Sequence, residues 1–343
     1  MIDTLAVVGA TGAVGRIIVS LLLERQFPAR RIKLLASPRS AGRPMEVAGA
    51  RLEVEVLRPE SFEGVDIAIG STPDEVAAEF VPWAVERGCI VVDESAFYRM
   101  RADVPLVIPE VNADAIDSHR GIIASPNCST TQLVMVMKPL HDAARVRRVI
   151  VSTYQAVSGA GLSASLEMEQ ATAAWLAGTP ETKAIFPHPI AANLIPQIGS
   201  ARPGGSTSEE MKMVLETRKI LGDDSIGVNA TCIRVPVANC HSESILIETE
   251  RKLSAADARR LLEAMPGVVV IDDLEAKLYP MPRECSGRDE VFVGRIREDA
   301  SSPCGISLWC VSDNLRKGAA TNAVQIAEHL ARRAAAGRGA VPA

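Results

Sequence analysis

Aromatic residues are scarce in this sequence and make up 3% of its 343 residues. Proteins that bind single-stranded nucleic acid stack bases on aromatic side chains, so this scarcity argues against that function. Long basic runs are also missing. The densest basic groups lie at residues 145–148 and 332–333, and each is typical of a solvated helix end. Since the formal net charge is −5, we expect no nucleic-acid partner.

The sequence also lacks the segments that place a protein in a membrane. No stretch reaches the roughly 18 uncharged apolar residues of a membrane span. The first residues, Met-Ile-Asp-Thr-Leu, carry no basic group of the kind that begins a signal peptide. The seven cysteines are irregularly spaced and include no Cys-x-x-Cys pair, which argues against a disulfide framework or a metal site. We expect a cytoplasmic protein with no metal and no membrane partner.

The first third of the chain has the pattern of an α/β domain. Short apolar runs predict strands, and a longer amphipathic segment at Val76–Arg87 predicts a helix. Strands that alternate with helices form a mostly parallel sheet covered on both faces, so we expect a doubly wound, Rossmann-type domain. The expected strands are Thr4–Val8, Arg31–Ala36, Val65–Gly70 and Cys89–Asp93.

The pattern changes after about residue 127, where strands become longer and helices fewer. We expect an α+β domain on a mixed sheet, with strands at 146–156, 230–237, 244–250, 291–297 and 307–311. An amphipathic helix at 321–335 is expected to return to the first domain. This predicts a dinucleotide-binding domain at 1–127, completed by 315–343, and a catalytic and dimerisation domain at 128–314.

A glycine-rich turn follows the first strand and precedes a helix. Its sequence is Gly9-Ala-Thr-Gly-Ala-Val-Gly15, a variant of the dinucleotide-binding fingerprint. Glycines in such a turn allow backbone amides to approach a pyrophosphate at the start of the helix. The turn therefore predicts a dinucleotide site that includes Gly9, Thr11, Gly12, Ala13, Val14 and Gly15.

The end of the second strand indicates which nucleotide is bound. A carboxylate about 20 residues after the glycines would hold the ribose of NAD, but the sequence there is Ser37-Pro-Arg-Ser40. The guanidinium of Arg39, with Ser40 beside it, suits the 2′-phosphate of NADP. An exposed loop arginine without a ligand is the alternative interpretation.

Cys128 is the candidate nucleophile. The segment Ser125-Pro-Asn-Cys-Ser-Thr-Thr131 precedes a helical run, and the start of a helix favours the thiolate form of a cysteine. A catalytic thiol needs an acid–base partner. Among five histidines, His241 is the candidate because it falls in the expected bend between two strands of the second domain. A loop histidine without a catalytic role remains the alternative.

The motifs together resemble the aspartate-semialdehyde dehydrogenase family over nearly the whole chain. The similar blocks are Ala6–Gly15, Ser125–Thr130, Val151–Gly161, Glu209–Met213, Arg234–Val237, His241–Ser244, Val311–Ala320 and Gln325–Glu328. The resemblance implies reduction of L-aspartyl-4-phosphate to aspartate semialdehyde, with NADP as cofactor and with a thioester on Cys128. It also implies a homodimer that serves the biosynthesis of lysine, threonine, methionine and isoleucine.

The resemblance also assigns roles to individual side chains. His241 is the proton donor, Gln155 orients the substrate, and backbone amides near Cys128 stabilise the oxyanion. Arg234 binds the α-carboxylate and Glu209 the ammonium group, and Asn127 joins them as a substrate contact. Arg99 and Lys212 bind the phosphate group, with Arg101 as a rival for the position of Arg99. Ser158, Gly159 and Asn314 approach the nicotinamide end of the cofactor.

Several alternatives remain open at this level. Glu209 and Lys212, three residues apart, also fit an ordinary pair on a helix surface. A related reductase of N-acetyl-γ-glutamyl phosphate would use the same chemistry. The sequence departs from the family pattern at Pro38, Pro73 and Glu94, and a carboxylate at position 94 would repel phosphates. These departures keep a non-catalytic paralogue, acting as a binding or assembly partner, as a second alternative.

Overall fold

The computed structural model describes residues 2–42, 44–180 and 184–338. The chain divides into two compact units. The first comprises Met1–Pro126 with Ala319–Ala343, and the second comprises Asn127–Gly318. The last five residues of the predicted 315–343 segment lie outside the described residues.

The first unit contains eight described strands and three helices before the chain leaves it. The strands are β1 (Ile2–Val8), β2 (Ala29–Ala36), β3 (Met45–Val47), β4 (Ala50–Leu52), β5 (Val54–Val56), β6 (Ile67–Gly70), β7 (Ile90–Asp93) and β8 (Ile122–Ala124). The helices are α1 (Ala13–Glu24), α2 (Asp74–Glu86) and the single turn α3 (Pro109–Asn112).

Six of these strands form a parallel sheet in the order β5-β2-β1-β6-β7-β8. The chain runs outward from β1 on one side and then continues on the other side from β6. The strand order therefore reverses between β1 and β6, and open sheets of this kind bind ligands beside the carboxyl ends of the strands at that point. The doubly wound sheet predicted from the sequence is confirmed.

The second unit contains five helices and six strands within its described residues. The helices are α4 (Cys128–Ala144), α5 (Leu162–Ala177), α6 (Ser208–Leu221), α7 (Ala255–Glu263) and the short α8 (Pro282–Cys285). The strands are β9 (Val146–Gln155), β10 (Gly227–Arg234), β11 (His241–Thr249), β12 (Val268–Val270), β13 (Val291–Glu298) and β14 (Gly305–Ser312).

The last helix, α9 (Thr321–Arg338), returns to the first unit as the sequence predicts. It contacts α1, and alanines on α9 lie in one buried cluster with Ile18 and Leu22 of α1. Small residues allow two helices to approach closely. The sequence pattern 321–335 therefore predicts both the helix and its destination.

The sheet of the second unit is mixed, in the order β10-β9-β11-β14-β13-β12. Its two end pairs are parallel and the inner pairs antiparallel. Side chains of β9 alternate between buried and half-exposed, and those of β11 between buried and partly exposed. Helix α4 packs on the buried face. The mixed sheet predicted from the sequence is confirmed.

One acidic residue lies in the buried face of this sheet. Glu243 on β11 pairs in register with Thr153 on β9 and Cys310 on β14. It is 0% exposed, and neither carboxyl oxygen forms a hydrogen bond within the described part of the chain. Burial raises the pKa of Glu243 to about 8. The nearby Gln132 amide on α4 opposes the rise, although it does not meet hydrogen-bond geometry with the carboxyl group. The carboxyl group is therefore neutral at pH 7.

Some elements were not predicted from the sequence. The strands β3 to β5 have three residues each, too few to show an apolar period. Helix α5 lies outside every segment for which the sequence predicts a structure, and α6 includes the segment Glu209–Met213, which was interpreted only through its resemblance to the family. In the described residues, no helix is long and apolar enough to cross a membrane.

Replacing Glu243 with Gln should change how stability depends on pH. Glu243 has a folded pKa of about 8, above its ordinary value of 4.5. The wild type is therefore most stable relative to the variant below pH 4.5. It loses on the order of 1 kcal/mol per pH unit as the pH rises toward 8. Thermal unfolding midpoints at pH 5 to 8 measure this difference.

The exposed Glu263→Gln variant is the control, and its unfolding midpoint should follow that of the wild type at every pH. A constant difference between Glu243→Gln and the wild type over this range would contradict a neutral carboxyl group at position 243.

Candidate active site

Cys128 is the first residue of α4, a helix of 17 residues. Asn127 caps this helix: its Oδ1 accepts a hydrogen bond from the Ser129 backbone N–H at 3.0 Å. The Asn127 backbone N–H donates to the Glu216 carboxylate at 2.7 Å. These bonds fix the backbone on both sides of the thiol. The sulfur therefore lies at the positive end of a long helix, as predicted.

The other cysteines differ from Cys128 in their surroundings. Cys128 is half-buried, whereas five of the remaining six are buried. Burial raises the pKa of the Cys89 thiol to about 12, and it also raises the pKa of Cys232, Cys240, Cys285 and Cys310. Thiols with raised pKa values are poor nucleophiles at neutral pH. The choice of Cys128 from the sequence agrees with this distribution.

The sheet register places three predicted site residues side by side. Arg234 ends β10 and pairs with Gln155, which ends β9. His241 begins β11, and the register Ser242 to Tyr154 puts it opposite Gln155. All three are buried, at 7%, 1% and 1% exposed. His241 therefore lies on a strand rather than in the bend predicted for it, because the bend occupies Asn239 and Cys240, where Cys240 has a φ of 72°.

Glu209 connects this row to the start of α4. Its carboxylate accepts hydrogen bonds from Asn127 Nδ2 at 2.9 Å and Gln155 Nε2 at 3.2 Å, and it pairs with Lys212 Nζ at 3.1 Å. Burial acts to raise the pKa of Glu209, but these three partners outweigh it and lower the pKa to about 2. Glu209 and Lys212 are thus a helix pair, as one alternative held, but Glu209 is buried within the site and fully ionised.

Asn127 and Lys212 were both predicted to contact substrate. In the structure their polar atoms serve the site itself, through the cap of α4 and through Glu209. Their role toward a substrate stays a prediction.

His241 is held as a neutral ring. Its Nδ1 accepts a hydrogen bond from the Ala156 backbone N–H at 3.1 Å, which leaves the ring proton on Nε2. Burial and the nearby Arg234 lower the pKa of His241 to about 3, although Glu209 opposes the shift. His241 therefore presents a hydrogen-bond donor, Nε2–H, at neutral pH.

Gly159 leaves space beside that donor. A Cβ atom at position 159 would lie 3.2 Å from His241 Nε2 and 3.3 Å from Arg234 Nη1. Gly159 was predicted as a cofactor contact. The structure adds that any side chain there would crowd the imidazole and the guanidinium.

Arg234 interacts electrostatically with both the Cys128 thiol and the Glu209 carboxylate. Its guanidinium donates a hydrogen bond to the carbonyl oxygen of Ala156. Burial lowers the pKa of Arg234, whereas Cys128 and Glu209 act to raise it. The predicted nucleophile, carboxylate-binding arginine and ammonium-binding acid are therefore close enough to influence one another.

Gln155 has one polar atom to spare. Its Nε2 donates to Ser129 Oγ and to Glu209, both at 3.2 Å. Its Oε1 is buried and accepts no hydrogen bond from the described residues. Buried amides without a protein partner are commonly satisfied by a ligand or water. This fits the predicted contact between Gln155 and a substrate.

Ser158 and Asn314, predicted to lie near the nicotinamide, are in contact. Asn314 Nδ2 donates to Ser158 Oγ at 3.0 Å, and Asn314 Oδ1 accepts from the Cys240 backbone N–H at 3.0 Å. Asn239 joins them and donates to Asp313 Oδ2 at 2.7 Å. Asn239 and Asp313 were not predicted as site residues from the sequence. Their positions next to Cys240 and Asn314 could have indicated them.

Gly318 was also missed. A Cβ atom at this position would lie 2.9 Å from Cys128 Cβ and 3.3 Å from Cys128 Cα. Neither atom can rotate away, so a side chain at 318 would displace Cys128, the predicted nucleophile. Glu216 was missed too, because only the fold brings it to Asn127.

Arg99 and its rival Arg101 have different environments in the first unit. Arg99 is 7% exposed and donates hydrogen bonds to the carbonyl oxygens of Ser125 at 2.9 Å and Glu94 at 2.6 Å. Arg101 is exposed and pairs with the Asp103 carboxylate. Arg99 therefore lies at the carboxyl edge of the parallel sheet, where a ligand is expected. Arg101 does not contact the carbonyl groups at this edge and pairs with Asp103 instead.

The glycine turn has the geometry predicted for it. A Cβ atom at Gly9 would lie 2.2 Å from the Ser71 carbonyl oxygen, and one at Gly15 would lie 2.2 Å from the Gly9 carbonyl oxygen. Gly12 precedes α1, whose first turn has no side-chain cap. The backbone N–H groups of Ala13, Val14 and Gly15 therefore remain available to an anion at the helix start, with Thr11 in the turn.

Arg39 and Ser40 follow β2, the strand next to β1 on the far side from β6. Arg39 is exposed. The residues on this edge fit a dinucleotide: free amides at the start of a helix, glycines that permit close approach, and an exposed cation on the neighbouring strand.

Comparison with known proteins gives the family. Residues 4–119 match the model for the semialdehyde dehydrogenase NAD binding domain, and residues 137–317 match that for the semialdehyde dehydrogenase dimerisation domain. The chain is 50% identical over 329 residues to an aspartate-semialdehyde dehydrogenase of Aquifex aeolicus, covering 95% of this chain and 97% of the relative. It is 47% identical to that of Bacillus subtilis, covering 95% and 96%.

Solved structures agree. Aspartate semialdehyde dehydrogenase II of Vibrio cholerae, complexed with ASA, superposes with a TM-score of 0.93 at 43% identity, covering 97% of this chain and 99% of that one. The Candida albicans enzyme with NADP gives a TM-score of 0.75 at 28% identity, covering 96% and 98%. With the thiol, the row of Arg234, Gln155 and His241 and the glycine turn in place, the chain belongs to the aspartate-semialdehyde dehydrogenase family, as its motifs predicted.

Proposed function

We propose that this protein is an NADP-dependent aspartate-semialdehyde dehydrogenase that reduces L-aspartyl-4-phosphate through a thioester on Cys128. The observation that carries the proposal is the grouping of a half-buried thiol at a helix start with ionised Glu209, buried Arg234 and neutral His241. Each group supplies one requirement of the reaction.

Substrate selection follows from the two charged side chains. The planar guanidinium of Arg234 suits a carboxylate. The Glu209 carboxylate, ionised and buried, favours a positively charged ammonium group. An N-acetylated amine carries no charge and would leave Glu209 without a cationic partner beyond Lys212. A free amino acid is therefore a better substrate than the N-acetylated alternative.

The first chemical step needs a thiolate. The start of α4 and the nearby Arg234 both favour a negative sulfur. His241 cannot accept the thiol proton at Nε2, because that nitrogen already carries one. The sulfur attacks the acyl carbon, a carbon–sulfur bond forms, and inorganic phosphate leaves. Arg99 and Lys212 are the cations proposed to bind that phosphate.

His241 acts in the following step. When bound, the nicotinamide cofactor supplies the hydride that reduces the thioester. The negative charge on the resulting thiohemiacetal oxygen needs a donor, and His241 Nε2–H is a neutral one that costs no desolvation of an imidazolium. Collapse of this species releases the aldehyde and restores Cys128.

Arg39 supports NADP over NAD as the cofactor. It is exposed after β2, where an acidic residue would bind the ribose of NAD, and the sequence there contains none. A structural relative from Candida albicans was solved with NADP.

A homodimer fits the second face of the mixed sheet. Side chains on that face are only partly buried, among them Tyr154 and Trp309, whose rings lie 5.5 Å apart. Aromatic groups of this kind are enriched in protein interfaces.

The seven cysteines, all within the described residues, form no disulfide bond, as expected in the reducing cytoplasm.

Replacing Cys128 with Ala should abolish activity, because no other group on this site can form the thioester. The assay is phosphate-dependent reduction of NADP by aspartate semialdehyde. Cys304→Ala is the control, since Cys304 is also half-buried and free, and it should keep wild-type activity. Equal rates for Cys128→Ala and wild type would exclude the mechanism, and a preference for N-acetylglutamate semialdehyde would assign the alternative reductase.

Replacing Gly318 with Ala should slow turnover by roughly 10- to 100-fold, because the new methyl group displaces Cys128. Gly227→Ala is a matched control: a Cβ atom there meets nothing closer than 3.5 Å. Steady-state kinetics and the rate of Cys128 alkylation by iodoacetamide are the measurements. Wild-type values for both in Gly318→Ala would show that the predicted displacement does not occur.

Replacing Arg39 with Ala should weaken NADP binding by about 10- to 100-fold, the loss of a charge-assisted hydrogen bond of roughly 1.5–3 kcal/mol. The affinity for NAD should change little. Titration calorimetry with both nucleotides measures this, with the exposed Arg51→Ala as control. An equal loss for NAD and NADP would refute contact between Arg39 and the 2′-phosphate.

A further inference from the structure

Buried polar atoms without partners gather at the carboxyl edge of the parallel sheet. Thr72 Oγ1, Asp93 Oδ1 and both carboxyl oxygens of Glu94 form no hydrogen bond with the described residues. The other oxygen of Asp93 does have a donor, Ser95 Oγ at 2.6 Å. Buried polar groups are normally paired, so such a group of unpaired atoms indicates a ligand.

The backbone places Glu94 beside the glycine turn. The Glu94 N–H donates to the Gly70 carbonyl oxygen at 2.9 Å, and the Ser71 N–H donates to the Val8 carbonyl oxygen at 3.0 Å. Ser71 is in turn the residue that Gly9 approaches most closely. The ends of β1, β6 and β7 therefore lie next to one another, at the point where the strand order reverses.

The surroundings of Glu94 disfavour its ionised form. Burial raises the pKa of Glu94 to about 7, and the nearby Asp93 carboxylate adds to the rise. The Ser71 hydroxyl, which is near the carboxyl group but does not meet hydrogen-bond geometry with it, and the Arg99 guanidinium oppose the rise. Arg99 donates to the backbone carbonyl oxygen of Glu94. The charged groups that act on Glu94 are Asp93 and Arg99, and Asp74 and Tyr98 in turn interact with Asp93.

We propose that Glu94 binds the dinucleotide as a neutral carboxylic acid and donates its proton in a hydrogen bond to a phosphate oxygen of the cofactor. This inference rests on the proposed cofactor site. An ionised carboxylate at position 94 would repel the diphosphate of the cofactor, as noted from the sequence. The neutral acid instead donates a hydrogen bond to a phosphate oxygen. Glu94 is then a cofactor-binding residue rather than a defect in the site.

The sign of the pH dependence follows from linkage. In the protein without cofactor, the pKa of Glu94 is about 7. Below this pH the acid is neutral and the affinity for the cofactor is at its maximum. Above it, binding must return a proton to Glu94. The dissociation constant then rises up to tenfold per pH unit until the pKa of the complex is reached.

Titration calorimetry of the wild type and Glu94→Gln with NADP, without substrate, tests this between pH 6 and 9. The carboxamide donates a hydrogen bond but does not titrate. From pH 7 to 9 the wild-type dissociation constant should rise at least tenfold more than that of Glu94→Gln. At pH 8, buffers of different ionisation enthalpy should show uptake of about one proton by the wild type and none by the variant.

Glu79→Gln, an exposed change on α2, is the control and should follow the wild type. Parallel pH profiles for wild type and Glu94→Gln would overturn the proposal, as would loss of binding in a Glu94→Gln variant with a normal unfolding midpoint. The absence of proton uptake by the wild type would do so without any variant. A wild type that binds no NADP at any pH would instead remove the cofactor assignment itself.

Discussion

The candidate active site in the second unit depends on one buried ion, the carboxylate of Glu209. Burial alone would keep this acid neutral, but the ammonium of Lys212 and two amide donors hold it ionised. The donors come from different elements: Asn127 precedes α4, and Gln155 ends β9. Glu209 therefore fixes the start of the nucleophile's helix relative to the end of the sheet. An apolar residue in its place would leave the buried Asn127 amide without this acceptor, at a cost of about 1–3 kcal/mol, and would leave Gln155 Nε2 with Ser129 alone.

Sheet register explains why residues distant in sequence form one site. Arg234, Gln155 and His241 lie at the ends of adjacent strands and in register with one another. Because side chains alternate along a strand, the residue adjacent to each of them points to the other face of the sheet. Apolar patterns locate such strands well, which is why the sequence predicted the strands, whereas the roles of Gln155 and Arg234 came from the resemblance to the family. The pairing of strands is a long-range property, so the bend was placed too late in the chain: it was expected to include His241, but His241 already begins β11.

The residues that the sequence did not reveal act through packing. Glu216 reaches Asn127 across 89 positions, and Gly318 matters because it touches Cys128 across 190. Neither carries a local pattern: Glu216 is one acid in an amphipathic helix, and Gly318 is one glycine near small residues. A sequence shows which side chains have the chemistry for a site. It does not show where two backbone segments approach so closely that only a glycine leaves room for the site.

Three buried acids in this protein show how partners decide charge. Glu209 has a cation and two amide donors and is ionised; Glu243 has no hydrogen-bond partner in the described chain and is neutral. Glu94 lies between these cases, since burial and Asp93 oppose Arg99 and Ser71. Burial is common to all three, so it does not determine their charge. A group poised between the two forms responds to whatever binds beside it, which is why we propose that a proton on Glu94 controls cofactor binding at the edge of the parallel sheet. Glu209, whose pKa is about 2, keeps its charge throughout the neutral range.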